Sequence, residues 1–252
     1  MNIGIIGLGN MGRAFYELFL KDGHDLFVAC PHERDIDTFQ TRNNAEIVDK
    51  SDIIFLAVKP NKVAEVMEEI SGKIEGQIIV SMAAGVSVEQ LQEMAPTEKI
   101  IRILPNTPIK VGEGVVVYTP GYAMSAEEKR EFEALLDPAG LVMEMDEKNL
   151  DIVTALTGAT PAFVAMIVEG FSDGACKCGM KRADTYKLAA AAVAGSCEQL
   201  LQEKLHPGEL KDMVTSPGGA TIEGVLALEE AGVRHACAQS IIKTVEKGKS
   251  LS

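Results

Sequence analysis

Short apolar runs alternate with amphipathic stretches along the first 148 residues. MNIGIIG reads as a buried strand, and NMGRAFYELFLKDG has helical spacing and ends at Gly23, a residue suited to a helix C-terminus. DLFVAC and SDIIFLAVKP read as further strands, the second stopped by Pro60. VAEVMEEI reads as a helix, QIIVSMAAG as a strand, and SVEQLQEMA as a helix opened by a capping box of Ser87 and Gln90. KIIRILPNTP and GVVVYTP are two more strands. SAEEKREFEALLD repeats the capping box with Ser125 and Glu128, and LVMEMDE is the last strand. Strands that are apolar almost throughout, alternating with helices, predict a mostly parallel sheet covered on both faces.

After about Lys148 the pattern changes, and no further strand is predicted. PAFVAMIVEGFSDGACKCGM is apolar nearly all round, and ADTYKLAAAAVAGSCEQLLQEK is rich in alanine. Helices apolar on most faces must be buried on most faces. About a hundred residues cannot easily do that alone, so a homodimer interface is expected. The expected division is an α/β domain over 1–148 and an all-α domain over 149–252.

Composition adds exclusions. The net charge of −13 argues against nucleic acid and against anionic membranes as partners. The apolar helical run Pro161–Val168 is too short to span a bilayer. Gly and Asn interrupt the apolar N-terminus, so a signal peptide is not expected. The four histidines are scattered and the five cysteines form no CxxC pair, so neither a metal site nor a disulfide framework is expected. Together these predict a soluble, cytoplasmic protein.

GLGNMG places Gly7, Gly9 and Gly12 in a G-x-G-x-x-G pattern, with Asn10 and Met11 between. It follows a strand and opens a helix, the context in which this pattern binds a dinucleotide. Gly7 permits a tight turn, Gly9 a close approach of backbone to pyrophosphate, and Gly12 close packing of helix on strand. The second strand ends in ACPHERD. No carboxylate stands where the ribose 2′-hydroxyl of NAD would need one, and His32 and Arg34 follow instead. A cation there suits the 2′-phosphate of NADP, although Glu33 and Asp35 pull the other way. Ala57, Val58, Lys59 and Pro60 end the next strand, at the edge where ligands of such sheets bind. Asn106, between two prolines after a strand, is a candidate for ordering the nicotinamide end.

IGLGNMG, NNAEIVDKSDIIFLAVKP, RILPNTP, VGEGVVVY and HPGELKDMVTSPGGATIEGVLALEEAGV run from end to end and together resemble the pyrroline-5-carboxylate reductase family. The resemblance implies an N-terminal Rossmann domain and a helical domain that interlocks in dimers, often gathered into larger rings. It implies NADPH-dependent reduction of the C=N bond of pyrroline-5-carboxylate to L-proline, the last step of proline biosynthesis. It also places Asn44 near the adenosine ribose, where an asparagine can equally form a turn. One stretch departs. The family's S-G-S-G-P-A-Y is here TGATPAF, with Thr160 for a glycine and Phe163 for a tyrosine. A β-branched residue does not readily take glycine's backbone states, so a different local backbone or pocket width is expected.

VTSPGGATIEG carries the remaining chemistry. Thr215 or Ser216 is expected to cap a helix beginning at Pro217. Gly218 and Gly219 then offer bare N–H groups, and Ser216, Gly218, Gly219, Ala220 and Thr221 form a candidate carboxylate site. The Thr221 hydroxyl follows, within reach of a ring nitrogen beside that carboxylate, a pairing that a cyclic imino acid offers. The plain alternative is a capped turn without ligand. Two rival functions remain. IGLGNMG…LFLKDGH also resembles β-hydroxyacid dehydrogenases, but no glycine-rich segment with an inward lysine on a long helix follows. A non-catalytic NADP-binding relative is the other.

Overall fold

The protein is described by a computed structural model covering residues 1–95, 97 and 99–250. It has two compact units, one centred on Met1–Gly158 and the other spanning Ala159–Lys247.

The first unit is built on eight strands: β1 (Asn2–Ile6), β2 (Asp25–Ala29), β3 (Phe39–Thr41), β4 (Ile53–Leu56), β5 (Ile78–Ser81), β6 (Ile100–Pro105), β7 (Gly114–Pro120) and β8 (Gly140–Glu144). Their order is β3-β2-β1-β4-β5-β6-β7-β8. Every pairing is parallel except β6 with β7. The helices are α1 (Asn10–Lys21), α2 (Ala45–Val48), α3 (Val63–Ser71), α4 (Val88–Met94), α5 (Ala126–Leu136) and α6 (Leu150–Val153).

Alternate strand residues serve two cores. Ile5, Phe55 and Ile103 join Phe15, Phe19 and Phe132 on one face. Ile6, Ile54 and Leu56 join Met67, Ile70 and Leu91 on the other. Both faces being covered is why the strands read as continuous apolar runs. The two capping boxes form as expected: the hydroxyls of Ser87 and Ser125 accept from the N–H groups of Gln90 and Glu128. Gly23 takes φ +79° just after α1. The expected strand list omits β3 and the helix list omits α2, both too short for a periodic pattern to show.

The second unit holds α7 (Thr160–Lys177), α8 (Arg182–Gln202), α9 (Pro207–Met213), α10 (Ala220–Glu230) and most of α11 (Val233–Lys249). α7 and α8 form a hairpin locked by a buried hydroxyl pair, Ser172 and Thr185, 2.6 Å apart. The guanidinium of Arg182 donates to Ser172 Oγ at 2.9 Å. Among the described residues of this unit, no apolar side chain is buried. Met166, Phe171, Leu188 and Leu201 stand exposed, Met166 at 70% and Leu201 at 68%. A unit that buries no apolar side chain lacks the main term that offsets chain entropy, so its stability must come from association.

One expectation needs correction. Successive 3-10, α, π and α turns join into one helical run over Glu147–Lys177, 31 residues long, with a mean hydropathy of 1.6 in its most apolar window. By length and composition this run could cross a bilayer, so the shortness of Pro161–Val168 does not exclude it.

Candidate functional site

β1 lies between β2 and β4, where the strand order reverses, and its carboxyl end feeds Gly7. The Gly7 N–H donates to the Ala29 carbonyl at 2.8 Å, and the Ala57 N–H donates to the Ile6 carbonyl at 2.8 Å. These bonds bring the ends of β1, β2 and β4 together. Gly7 has φ +96°, and a Cβ there would lie 2.6 Å from the Ala57 carbonyl oxygen and 3.0 Å from Val58 Cγ1. A Cβ on Gly12 would strike the Gly7 carbonyl oxygen and come within 2.9 Å of Ala57 Cβ. Gly9 differs: a Cβ there would meet no atom within 4 Å. Two glycines are therefore required by the fold, and the third keeps open a space outside it.

Gly9 is the N-cap of α1, and no side chain caps this turn. The first N–H groups of α1, from Asn10, Met11 and Gly12, face that open space with the positive end of the helix dipole. This is a cradle that a Cβ would fill, and it fits a pyrophosphate. Lys59 is exposed and extended, and leads into a 3-10 turn over Pro60–Lys62. Ala57 to Pro60 thus sit beside Gly7, as expected.

Beyond β2, a cavity of about 240 Å³ is lined by Cys30, Glu33, Gln40, Thr41 and Arg42. His32 and Arg34 are exposed in the same loop. Burial pushes the Cys30 thiol up, while the positive charges of Arg34 and Arg42 pull it down. Arg42 and Glu33 line this cavity with opposite charges, and Arg34 acts on the Cys30 thiol that lines it too. Arg42 escaped the sequence reading because it follows β3, which itself went unread. The stretch FQTRNN was the available signal: a cation one residue past a parallel strand's carboxyl end.

The asparagines are engaged within the fold. Asn44 Nδ2 donates to Glu69 Oε2 at 2.6 Å, tying α2 to α3, while Asn43 forms the turn by accepting from the Ala45 N–H at 3.0 Å. Asn106 is 8% exposed. Its Oδ1 accepts from the Val115 N–H at 2.8 Å and its Nδ2 donates to the Thr157 carbonyl at 3.1 Å. Asn106 thereby holds the π-helical turn Thr154–Gly158 against the start of β7.

TGATPAF lies at and after that turn. Thr160 opens α7, and it is absent from the residues of positive φ. The backbone at this position does not require glycine, and Thr160 is accommodated in the first turn of α7 without a left-handed conformation.

In the second unit, the Gly219 N–H donates to the Ser216 carbonyl at 3.0 Å across Pro217 and Gly218. Gly218 has φ +68°, which makes this a β-turn with glycine in its left-handed position. The helix α10 begins at Ala220 with Gly219 as N-cap. This corrects the expectation that a helix begins at Pro217 under a Thr215 or Ser216 cap. The Thr215 hydroxyl instead donates back to the Lys211 carbonyl. The Ser216 hydroxyl stands over Gly219, where a Cβ would strike it. No side chain caps α10, so its first N–H groups are open. Thr221 is exposed in that first turn, and its hydroxyl makes no hydrogen bond among the described residues. Open N–H groups plus a free hydroxyl can hold a carboxylate and a neighbouring polar atom.

A cavity of about 900 Å³ lies elsewhere. It lies by the amino end of β6 and the carboxyl ends of β7 and β8, beside Thr119, Tyr122, Lys129 and Glu144. Its charges are spent on internal pairs, Lys129 with Glu144 at 2.8 Å and Glu147 with Arg102 at 2.7 Å. The two glycine turns instead present helix starts that no side chain caps.

Comparison with known proteins places both units in described families. Residues 147–251 match the family described as pyrroline-5-carboxylate reductase dimerisation, and residues 2–85 match NADP oxidoreductase, coenzyme F420-dependent. A pyrroline-5-carboxylate reductase from Escherichia coli is 37% identical, over 99% of this chain and 98% of its own. The structure of the Plasmodium falciparum pyrroline carboxylate reductase with NADP bound superposes with a TM-score of 0.88 at 29% identity, covering 99% of this chain and 97% of that one. That of a Coxiella burnetii pyrroline-5-carboxylate reductase superposes with a TM-score of 0.92 at 26% identity, covering 100% and 98%. With a nucleotide-type glycine turn in one unit, a glycine-rich helix start in the other and identity sustained from end to end, the chain belongs to the pyrroline-5-carboxylate reductase family.

Proposed function

We propose that the protein reduces the C=N bond of pyrroline-5-carboxylate to L-proline with NADPH. The observation that carries this is the Ser216–Thr221 turn, kept as an open helix start with a free hydroxyl in a chain related throughout its length to such reductases. The N–H groups at Gly219, Ala220 and Thr221 bind the substrate carboxylate. The Thr221 hydroxyl hydrogen-bonds the ring nitrogen. It is a positioning partner and not a strong acid, because its pKa is far from neutral. The reduced nicotinamide supplies the hydride. The protein holds the two rings in register and keeps water out.

Gly9 and the first turn of α1 hold the pyrophosphate, and Arg34 and Arg42 hold the 2′-phosphate, which favours NADPH over NADH. Asn106 shapes the turn that precedes α7. Residues 1–148 are assigned to the dinucleotide domain and 149–252 to the dimerisation and substrate domain.

The helical unit self-associates, in keeping with its family match. We assign its exposed apolar face, and the apolar run Glu147–Lys177, to that interface and not to a membrane. Dimers gathered into rings and a cytoplasmic location complete the reading. The test is oxidation of NADPH in the presence of pyrroline-5-carboxylate, with proline identified as product. Turnover of a hydroxyacid with NAD, and none with any cyclic imine, would overturn it.

A further inference from the structure

The connection from β2 to β3 is unusually economical. Parallel neighbours normally need a crossover of a dozen or more residues, most often with a helix. Here residues 30–38 suffice and contain no helix. Such a loop needs another source of shape, and one side chain from the returning strand supplies it. Gln40 sits in β3 opposite Val28. Its Oε1 accepts from the Arg34 backbone N–H at 2.8 Å and from the Cys30 thiol at 3.3 Å. Its Nε2 donates to the Arg34 carbonyl at 3.4 Å. The side-chain amide thus pairs with both backbone polar groups of Arg34, as a neighbouring strand would. The Cys30 thiol has a second acceptor in the His32 carbonyl at 3.0 Å, which closes the loop on itself.

We propose that Gln40 is a positioning residue for cofactor choice: by clamping the Arg34 peptide it fixes the Arg34 guanidinium beside Arg42 as a preformed site for a 2′-phosphate. This rests on the NADPH reading above. Gln40, Cys30 and Arg42 line one cavity of about 240 Å³, which is where such a phosphate would enter. The positive charges of Arg34 and Arg42 both lower the Cys30 thiol, which lines that cavity. Both arginines are exposed, Arg34 in a loop without regular structure, so without the clamp Arg34 would lose its orientation before binding. Ordering a rotamer-rich side chain and its loop on binding lowers affinity. Preorganisation is therefore worth roughly tenfold in affinity, and only for ligands that carry the 2′-phosphate.

The test compares the wild type with Gln40→Met, which keeps the volume without the polar atoms, and with Gln40→Asn, one methylene too short to span to Arg34. Calorimetry measures adenosine 2′,5′-bisphosphate and adenosine 5′-monophosphate binding to the intact protein. Steady-state kinetics give KM and kcat with NADPH and NADH, and circular dichroism reports folding. The expected result is about a tenfold loss for the bisphosphate and a matching rise in KM for NADPH. Monophosphate binding, KM for NADH and saturated kcat stay unchanged. Equal losses for both nucleotides in the variant that folds would make Gln40 merely structural and overturn the proposal, as would no loss. A wild type that binds both nucleotides equally would instead overturn the NADPH reading itself. A wild type that discriminates, with variants discriminating just as well, would overturn only the role of Gln40.

Discussion

Asn106 spans from Val115 to Thr157 with one side-chain amide, accepting from the first at 2.8 Å and donating to the second at 3.1 Å. Both partners are backbone groups, and the bridge fixes the π-helical turn that precedes α7. Asn106→Ala would leave an N–H and a carbonyl without their partner. We expect a loss of about 1–3 kcal/mol, read as a lower unfolding midpoint. Asn106→Asp would keep the Val115 bond but set a carboxylate against the Thr157 carbonyl. That carboxyl's folded pKa would rise above its unfolded value. Its stability is then fullest at acid pH and is lost as pH rises through the folded pKa. An Asn106→Asp midpoint that follows the wild type across pH would rule out this geometry.

Arg102 and Glu147 make a different kind of pair. Arg102 sits in β6 with its side chain 8% exposed, 2.7 Å from Glu147. The same Glu147 oxygen accepts the Val88 N–H at 2.9 Å, at the start of α4. Removing Glu147 would strand a buried guanidinium whose Nε already lacks a partner. Glu147→Ala should therefore cost about 3–5 kcal/mol, whereas replacing both residues, as in Arg102→Met with Glu147→Leu, should cost far less. Denaturant unfolding of the two variants separates them. Similar losses would mean that the charge is not the reason.

Glu128 predicts an acid limb. The Lys99 ammonium at 2.8 Å and the Ser125 N–H at 2.9 Å hold its carboxyl down to about 2. A depressed folded pKa contributes stability above the unfolded value and loses it as pH falls through the folded one. Glu128→Gln keeps the Ser125 contact but not the Lys99 pair. The difference from wild type, about 0.5–1 kcal/mol for so exposed a pair, should be present at neutral pH and vanish towards pH 2. A difference constant with pH would assign the effect to packing.

What was legible in the sequence follows from how local each cause is. Capping boxes at Ser87 and Ser125 and the glycine turn at Gly7 are decided within a few residues, and they form as read. β3 was not legible, because three residues of an edge strand carry no periodicity, and Arg42 went unread with it. The start of α10 was misplaced for a related reason. Proline suits a first helical position, but Gly218 at φ +68° takes the second central place of a turn, which holds Pro217 outside the helix. Asn106 was legible as a special position but not as a bridge, since Thr157 is far away in sequence.

Gly9 separates fold from ligand. A Cβ there meets nothing within 4 Å, and the residue caps α1 with ordinary extended backbone. Gly9→Ala should fold with an unchanged midpoint and yet lose dinucleotide affinity, about tenfold or more, because the added methyl enters the pyrophosphate space. Gly12→Ala should instead destabilise the fold, since its Cβ would meet the Gly7 carbonyl oxygen. Titration of NADP against both variants, with melting curves, tests the contrast. Unchanged affinity in Gly9→Ala would move the dinucleotide away from this turn.

Thr221 decides the assignment of the second turn. It lies in the first turn of α10, exposed, with a hydroxyl that no described group uses. If it serves only the helix, Thr221→Ala should be neutral or slightly stabilising, because alanine is the better helix former. If it hydrogen-bonds the substrate's ring nitrogen, the same change removes a bond to a charged group, worth about 1.5–3 kcal/mol. Turnover should then fall roughly ten- to a hundredfold, while NADPH affinity and the melting midpoint hold. Thr221→Ser keeps the hydroxyl and should recover most of the rate. The pair of variants therefore reads chemistry and fold separately. Full activity in Thr221→Ala would leave the Ser216–Gly219 turn as a carboxylate site at most, with orientation of the ring nitrogen assigned to another group.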